Sequence, residues 1–332
     1  MNSFIYRIVF ASRESFRVLN EQQQILPAKM AGKLRFQTAN WPSVGDYVRG
    51  FPQPGGWILI EEVQARFSVL ARQDPDRGRP PQILAANVDT LFVVTSANQD
   101  LNLNRLERYV AMAVSGGVEP VILVNKIELC ENPHEVLDSV CARFRTLEVA
   151  GVSALEGWNV DFLHEYLSEG STVAFVGSSG VGKSTLTNAL LERETAATQE
   201  IREDDDRGRH TTTHRELHVL ASGAAVIDTP GLRTVGLGDT LDLGSAFADI
   251  EELSSHCRFG DCAHDTEPGC AINSALESGE LSSARWENFL KMGREMAYEQ
   301  RRSDKALMSA EKKKWAKIHM DVKKRMGRRS TS

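Results

Sequence analysis

The sequence predicts a multidomain protein with a small N-terminal β-barrel, a central α/β domain, and a C-terminal α-helical domain that carries a cysteine cluster. Three patterns predict it. Short alternating apolar runs fill the first 70 residues, apolar strands then alternate with helical stretches, and three cysteines lie close together beyond residue 250. A chain of 332 residues has room for two or three such domains.

The composition is that of an ordinary globular protein, with 41% hydrophobic and 25% charged residues. No apolar run approaches the roughly 20 residues that cross a bilayer, and the N-terminal segment does not resemble a signal peptide. Five cysteines, an odd number, fit metal ligation in a reducing compartment better than a disulfide framework. We therefore expect a cytoplasmic protein with no membrane partner.

Residues 1–72 are predicted to form a barrel of the oligonucleotide-binding (OB) type, because their apolar runs alternate and are broken by turn residues. Such a barrel can present a groove to RNA, with Phe36, Trp41 and Tyr47 stacking on bases, although the same aromatic residues could fill its interior. Residues 73–86, which are dense in Pro and charge, are expected to be a linker.

Residues 87–237 are predicted to form a parallel sheet covered by helices on both faces, because their apolar strands alternate with helical stretches. Within this domain, GSSGVGKST fits the phosphate-loop pattern and stands between a strand and a helix, where backbone amides converge on phosphate oxygens. Lys183 is expected to bridge the β and γ phosphates, and Ser184 to ligate Mg²⁺. The expected contacts are Gly177, Ser178, Ser179, Gly180, Val181, Gly182, Lys183, Ser184 and Thr185.

Two further segments belong with this loop. Asp228 and Gly231 of DTPG follow an apolar strand, where an acid reaches Mg²⁺ and a glycine amide reaches the γ phosphate. Asn125, Lys126 and Glu128 follow another strand and resemble the Asn-Lys-x-Asp sequence by which GTPases read guanine. A carboxylate accepts hydrogen bonds from the N1–H and amino group of guanine, but Glu128 is one methylene longer than Asp. Ser153 and Ala154 match the loop that supports the guanine O6 in such proteins.

The order of these segments is that of a circular permutation, because the phosphate loop follows the base-reading strand. Together with GRHTTT at 208–213, the N-terminal barrel and the cysteine cluster, this order resembles the small ribosomal subunit biogenesis GTPases of the RsgA family. The resemblance implies hydrolysis of GTP to GDP and phosphate in late small-subunit maturation, stimulation by that subunit, and rRNA as a partner. We also expect a monomer. An RNA-binding scaffold that holds nucleotide without turnover is the alternative.

The resemblance also implies that one Thr of 211–213 coordinates Mg²⁺ and senses the γ phosphate. Thr212 is our candidate. Leu232 stands where many GTPases place a water-orienting glutamine, and His210 is our candidate for that role, although a solvated loop histidine is an equal alternative. Permutation further leads Asp228–Leu232 directly into the C-terminal domain, which suggests that phosphate loss is transmitted to that domain.

Residues 238–332 are predicted to form a helical domain with a metal site. Its C-x4-C-x-H-x5-C arrangement offers three thiolates and one imidazole, which suit one structural, tetrahedral Zn²⁺ per chain. The expected ligands are Cys257, Cys262, His264 and Cys270, with His256 as a competitor to His264.

Charge is unevenly distributed along the chain. The net charge is −6, yet 12 Lys and Arg against three acids give residues 301–332 a charge of +9. The basic tail at 312–329 can neutralise RNA phosphates, and could instead contact an anionic membrane or a protein partner. The family resemblance favours rRNA.

Overall fold

A computed structural model describes residues 3–12, 15–34, 41–72, 81–98, 101–198, 216–228 and 241–301, together with 304 and 309. At 192–198 and 228 it describes the backbone only. Several expected features therefore lie outside the described residues, namely Phe36, His210, Thr212, Gly231, Leu232 and the basic tail at 312–329.

The N-terminal domain is the predicted closed barrel. Its strands are β1 (Phe4–Ala11), β2 (Phe16–Leu19), β3 (Ile25–Met30), β4 (Tyr47–Gln53) and β5 (Trp57–Val63). They pair in the order β1-β2-β3-β5-β4, and β4 pairs back to β1. Trp41 packs against the barrel core, whereas Tyr47 is 37% exposed and lies under the Arg7 guanidinium. Trp41 is therefore part of the barrel interior, whereas Tyr47 lies on the outside.

A hairpin follows the barrel, and it corrects the predicted linker. Strand β6 (Val69–Arg72) pairs antiparallel with β7 (Gln82–Ala86), so the last five residues of the segment 73–86 form a strand. Leu84, Ala85 and Ala86 are fully buried. Their apolar run was masked in the sequence by the Pro-rich and charged residues before it, and burial in the core explains why it forms a strand.

The central domain is built on strands β8 (Thr90–Ser96), β9 (Glu119–Asn125), β10 (Glu148–Gly151), β11 (Thr172–Val176), β12 (Glu216–Val219) and β13 (Ala225–Asp228). Their order is β10-β9-β8-β11-β13-β12. The first five are parallel, as predicted, but β12 is antiparallel to β13 because only residues 220–224 connect them. Strand β12 also pairs with β1, which joins the sheet to the barrel.

Helices cover both faces of this sheet. They are α1 (Leu103–Ser115), α2 (Pro133–Arg143) and α3 (Lys183–Thr198), and Val160–Tyr166 form a 3₁₀ helix where the sequence suggested another helix. Successive residues of β8 enter opposite cores: Leu91 and Val93 face one, and Phe92 and Val94 face the other. This burial on both sides is typical of a parallel sheet.

The C-terminal domain is helical, as predicted. It contains α4 (Leu243–Ala246), α5 (Ala248–Ser255), α6 (Ala271–Ser278) and α7, described over 283–301. Its core is built around Phe247, Ile250, Ile272 and Met292. We call residues 241–301 the Cys/His domain. Among the helices within the described ranges, none is both long enough and apolar enough to span a membrane.

Candidate functional site

The phosphate loop joins the end of β11 to the start of α3, at the carboxyl edge of the sheet. Two of its glycines are required by close contacts. A Cβ on Gly177 would lie 2.2 Å from the carbonyl oxygen of Val94, and a Cβ on Gly182 would lie 2.1 Å from Asn125 Nδ2. Gly182 also has a φ of +99°, which side chains disfavour. The loop therefore packs directly against the strands beside it.

The lysine of the loop is folded over it. Lys183 Nζ donates to the carbonyl oxygens of Gly177 and Ser178, at 2.8 and 2.7 Å. Ser184 and Thr185 are exposed in the first turn of α3. Strand β13 lies beside β11, with Ile227 opposite Ala174, so the backbone of Asp228 reaches the same edge of the sheet. Lys183, Ser184 and the backbone of Asp228 therefore lie at the same edge of the sheet.

Asn125 connects the phosphate loop to the predicted base-reading loops. It ends β9 and is 1% exposed. Its Nδ2 donates to the carbonyl oxygen of Val181 at 2.7 Å, and its Oδ1 accepts from the N–H of Ala154 at 2.9 Å. The segments around 125, 153 and 180 therefore meet in one place, although they are far apart in the chain.

Glu128 lies beside this junction, in the 3₁₀ helix Ile127–Leu129, which follows the left-handed residue Lys126. Its Oε2 is buried and has no hydrogen-bond partner among the described residues. A buried carboxylate oxygen is costly unless donors reach it, so the position suits a ligand that brings N–H groups. Ser153 is fully buried, and its hydroxyl accepts from the N–H of Glu156 at 3.1 Å.

One contributor to this site was not predicted. Asn159 Nδ2 donates to the carbonyl oxygen of Gly151 at 2.8 Å and so closes the loop that carries Ser153 and Ala154. Its φ of +54° is left-handed. An Asn next to a glycine-containing loop is the signal that could have identified this turn, because Asn adopts that conformation more readily than most residues.

The four predicted metal ligands lie together, with all ligand atoms within 4.8 Å of one another. Cys257 Sγ and Cys270 Sγ are 4.0 Å apart, and they lie 3.6 and 3.5 Å from His264 Nδ1. Zn–S and Zn–N bonds of about 2.3 and 2.0 Å place tetrahedral ligands about 3.5 to 3.8 Å apart. The donor set and its spacing therefore fit Zn²⁺.

The surroundings of the cluster explain its shape. His264 has a left-handed φ of +60°, and its ring meets Trp286 edge to face. Burial and the neighbouring thiols of Cys270 and Cys257 raise the pKa of the Cys262 thiol to about 11. A divalent cation would reverse this effect by stabilising the thiolates. His256 is outside the cluster and is the C-cap residue of α5, so His264 is the histidine that lies with the three cysteines.

The fold and the site define a circularly permuted P-loop nucleotide-binding protein, because the base-reading strand precedes the phosphate loop in the chain and meets it in space. The family described as RsgA GTPase matches residues 63–238. The chain belongs to the RsgA GTPase family, as the sequence predicted.

Individual relatives cover most of the chain. The Oceanobacillus iheyensis protein "Small ribosomal subunit biogenesis GTPase RsgA 1" is 38% identical over 96% of this chain and 92% of its own. A Vibrio parahaemolyticus protein, "Small ribosomal subunit biogenesis GTPase RsgA 2", is 45% identical over 74% of this chain and 70% of its own. The crystal structure of YjeQ from Thermotoga maritima superposes with a TM-score of 0.68 at 26% identity, covering 89% of this chain and 99% of that chain.

Proposed function

We propose that this protein hydrolyses GTP to GDP and phosphate and acts in late maturation of the small ribosomal subunit. The observation that carries the proposal is the Asn125 side chain, which bonds to both the phosphate loop and the loop at 153–154. A single nucleotide spanning these loops has its base at one and its phosphates at the other. The names of the relatives support the ribosomal role.

Guanine is the base we propose. Within the part of the chain that the structure describes, Glu128 Oε2 is a buried acceptor without a donor, and it lies at the expected base position, where guanine offers it the N1–H and the amino group. Adenine lacks that pair of donors. The N–H of Ala154 already donates to Asn125 Oδ1. It can also donate to guanine O6 only if its hydrogen is shared between these two acceptors.

The phosphate end is proposed to work by charge. Lys183 now donates to two neutral carbonyl oxygens, and charged phosphate oxygens are stronger acceptors for its ammonium. Ser184, Thr212 and Asp228 offer hydroxyl and carboxylate oxygens, the hard donors that Mg²⁺ prefers. When bound, Mg²⁺ neutralises charge on the phosphates. Thr212, like His210 and Gly231, is assigned from the sequence alone.

The hydrolytic water is assigned to His210. Leu232 stands where many GTPases carry a glutamine, and its side chain offers no group that could hold a water molecule. An imidazole can accept a proton or orient a water near neutral pH. We propose that His210 does so when the small subunit is bound, which makes intrinsic hydrolysis slow and stimulated hydrolysis fast.

The Cys/His cluster is proposed to hold one structural Zn²⁺ per chain, through Cys257, Cys262, His264 and Cys270. The distances among its donor atoms support this assignment. Four protein ligands leave no open position for water, so the ion would act in folding and not in catalysis.

The partner we propose is small-subunit rRNA, bound by a cytoplasmic monomer. An outward cation–aromatic pair on the barrel supports this, formed by the exposed Lys29 over the ring of Trp57. Aromatic and cationic groups together suit stacked bases and phosphates. The basic residues of 312–329 add a phosphate-neutralising charge.

Multiple-turnover phosphate release from GTP, measured with and without small ribosomal subunits, tests the proposal. We expect slow release alone and faster release with subunits. His210→Ala should retain GTP affinity and lower stimulated turnover by on the order of 100-fold, as loss of a general base does. No release from GTP under either condition would support the scaffold alternative instead, and unchanged turnover in His210→Ala would remove that residue from the mechanism.

A further inference from the structure

Glu107, on α1 of the central domain, is the centre of a buried polar network. It is 2% exposed. Its carboxylate accepts from Arg143 Nε at 2.6 Å and from Arg143 Nη2 at 3.2 Å, both within the central domain. It also accepts from Arg285 Nη1 at 2.7 Å and from Asn288 Nδ2, both on α7 of the Cys/His domain. One carboxylate therefore joins two domains.

The charges of this network are balanced. Arg285 is also paired with Asp249 of α5, through two hydrogen bonds of 2.7 and 2.6 Å. Arg143 donates in addition to Asn104 and, across the interface, to Ser282. Two guanidinium groups thus meet two carboxylates. Removing one member of such a buried group leaves an uncompensated charge, so the network strongly disfavours separation.

The contact extends along α1. One residue beyond Glu107, Arg108 forms a bidentate pair with Glu295 of α7, at 2.7 and 2.8 Å. Ala111 is fully buried in the core of the Cys/His domain. At the end of α1, the hydroxyl of Ser115 accepts from the N–H of Asp242 at 2.7 Å. The Cys/His domain is therefore attached to α1 from Glu107 to the last residue of the helix.

This attachment connects the Cys/His domain to the base side of the nucleotide site. Helix α1 follows β8, and the N–H of Ala97 after that strand donates to the carbonyl oxygen of Asn125 at 2.9 Å. In the chain, however, the domain follows Asp228 on the phosphate side. Asp228, in the sheet, and Asp242, whose N–H donates to Ser115 of α1, flank residues 229–240, and both belong to one packed body.

We propose that the Cys/His domain is a fixed extension of α1 and α2, held by Glu107, and that it does not swing when the nucleotide changes. This differs from the mechanism suggested by the permuted chain order, in which loss of the γ phosphate is transmitted to the domain along its short covalent connection. A partner that docks on the Cys/His domain then acts on the base side of the site, through α1. The interface itself is the same with or without nucleotide.

Distances between spin labels test the proposal in the zinc-loaded full-length protein. Cys141 on α2 and Glu277→Cys on α6 are both exposed label positions, and Cys130→Ser removes the other free thiol outside the cluster. We expect the same distance distribution with GDP and with a non-hydrolysable GTP analogue. A shift of more than about 5 Å, the scale of a one-turn helix displacement, would overturn the proposal.

Two substitutions test the role of Glu107. Arg285→Gln leaves the Glu107–Arg143 pair inside the central domain and should broaden the distance distribution. Glu295→Gln removes the more exposed pair at the same interface and should leave the distribution narrow, because its side chain is 38% exposed. An Arg285→Gln distribution as narrow as that of the unsubstituted protein would contradict the assignment.

Binding of a fluorescent GTP analogue in the same samples shows that the central domain is folded in each variant. If no sample binds the analogue, the proposed nucleotide site is wrong. The distance distributions of the variants and the unsubstituted protein, compared without nucleotide, still test the interface. Glu107→Gln provides a second variant, which should broaden the distribution at least as much as Arg285→Gln does.

Discussion

At Gly182 the phosphate loop leaves no room for a side chain beside Asn125. Gly182→Ala would place a Cβ 2.1 Å from Asn125 Nδ2 and displace the amide that joins the loops. Each lost hydrogen bond of a buried group costs about 1–3 kcal/mol, so we expect GTP affinity to fall by on the order of 100-fold. Equilibrium binding of a fluorescent GTP analogue measures this.

Gly180→Ala is the matched control in the same loop. Gly180 also has a positive φ, of +83°, but no atom lies within 4 Å of a Cβ built on it. The substitution should therefore cost only the backbone strain of about 1–2 kcal/mol and weaken binding by roughly tenfold. Equal losses in the two variants would show that contact with Asn125 is unimportant.

Glu128 is predicted to select the base by its charge. Glu128→Gln replaces one acceptor oxygen with a donating amide, so guanine should lose a charge-assisted hydrogen bond worth about 1.5–3 kcal/mol. We expect GTP affinity to fall by about 10- to 100-fold, whereas xanthosine triphosphate, which carries a carbonyl in place of the amino group, should bind better. Competition between the two nucleotides measures the change, and an unchanged preference would exclude Glu128 from base recognition.

At the scale of elements, the Cys/His cluster holds the loop between α5 and α6. Cys270→Ser should remove the bound ion and lower the unfolding midpoint of the domain, because a structural Zn²⁺ contributes its binding energy to folding. Cys141→Ser, at an exposed cysteine on α2, should retain one zinc per chain and the original midpoint. Zinc content by elemental analysis and thermal unfolding test both, and a zinc-loaded Cys270→Ser protein would contradict the assignment.

The Cys/His domain and its interface with α1 should both weaken in acid. Burial alone would raise the pKa of Asp249, but hydrogen bonds and charge from Arg285 bring it below the ordinary carboxyl value, and Arg108 lowers the pKa of Glu295. A lowered carboxyl pKa adds stability that is complete above the ordinary value of about 4 and is lost as pH falls through the lowered value.

Urea unfolding between pH 7 and pH 3 checks this expectation. The unsubstituted protein should lose more stability below about pH 4 than a variant carrying Asp249→Asn and Glu295→Gln, whose amides do not titrate. Zinc loss affects both proteins, so the difference between them isolates the two carboxylates. If the free energy of unfolding falls equally with pH in both proteins, neither carboxylate contributes.

The sequence predicts an element correctly where the residues of that element are sufficient to determine its structure. Strands β8, β9 and β11 are continuous apolar runs followed by recognisable loops, and the metal ligands are close in the chain. Strand β7 was hidden behind a Pro-rich segment, and the antiparallel direction of β12 depends on its short connection. The hydrogen bonds of Asn125 and the pairing of Glu107 with Arg285 join distant residues, so no local pattern indicates them.

At the scale of the whole molecule, the nucleotide site lies in a domain that contacts both of its neighbours. On the barrel side, Phe10 of β1 pairs with Glu216 of β12, and Arg17 of β2 forms a 3.0 Å ion pair with the same glutamate. Glu216 directly follows the segment that contains His210 and Thr212. On the other side, α1 carries the Cys/His domain. A contact made with the barrel or with the Cys/His domain is therefore close to one end of the nucleotide site.

The central claim is that the loops joined by Asn125 enclose one guanine nucleotide. The affinities of GTP and ATP, measured in Mg²⁺ by competition against one fluorescent nucleotide, test it most directly. A site built to hydrogen-bond a base rejects an analogue that lacks those groups, so we predict at least about 100-fold tighter binding of GTP. Equal affinities, or no binding of either nucleotide, would contradict the account.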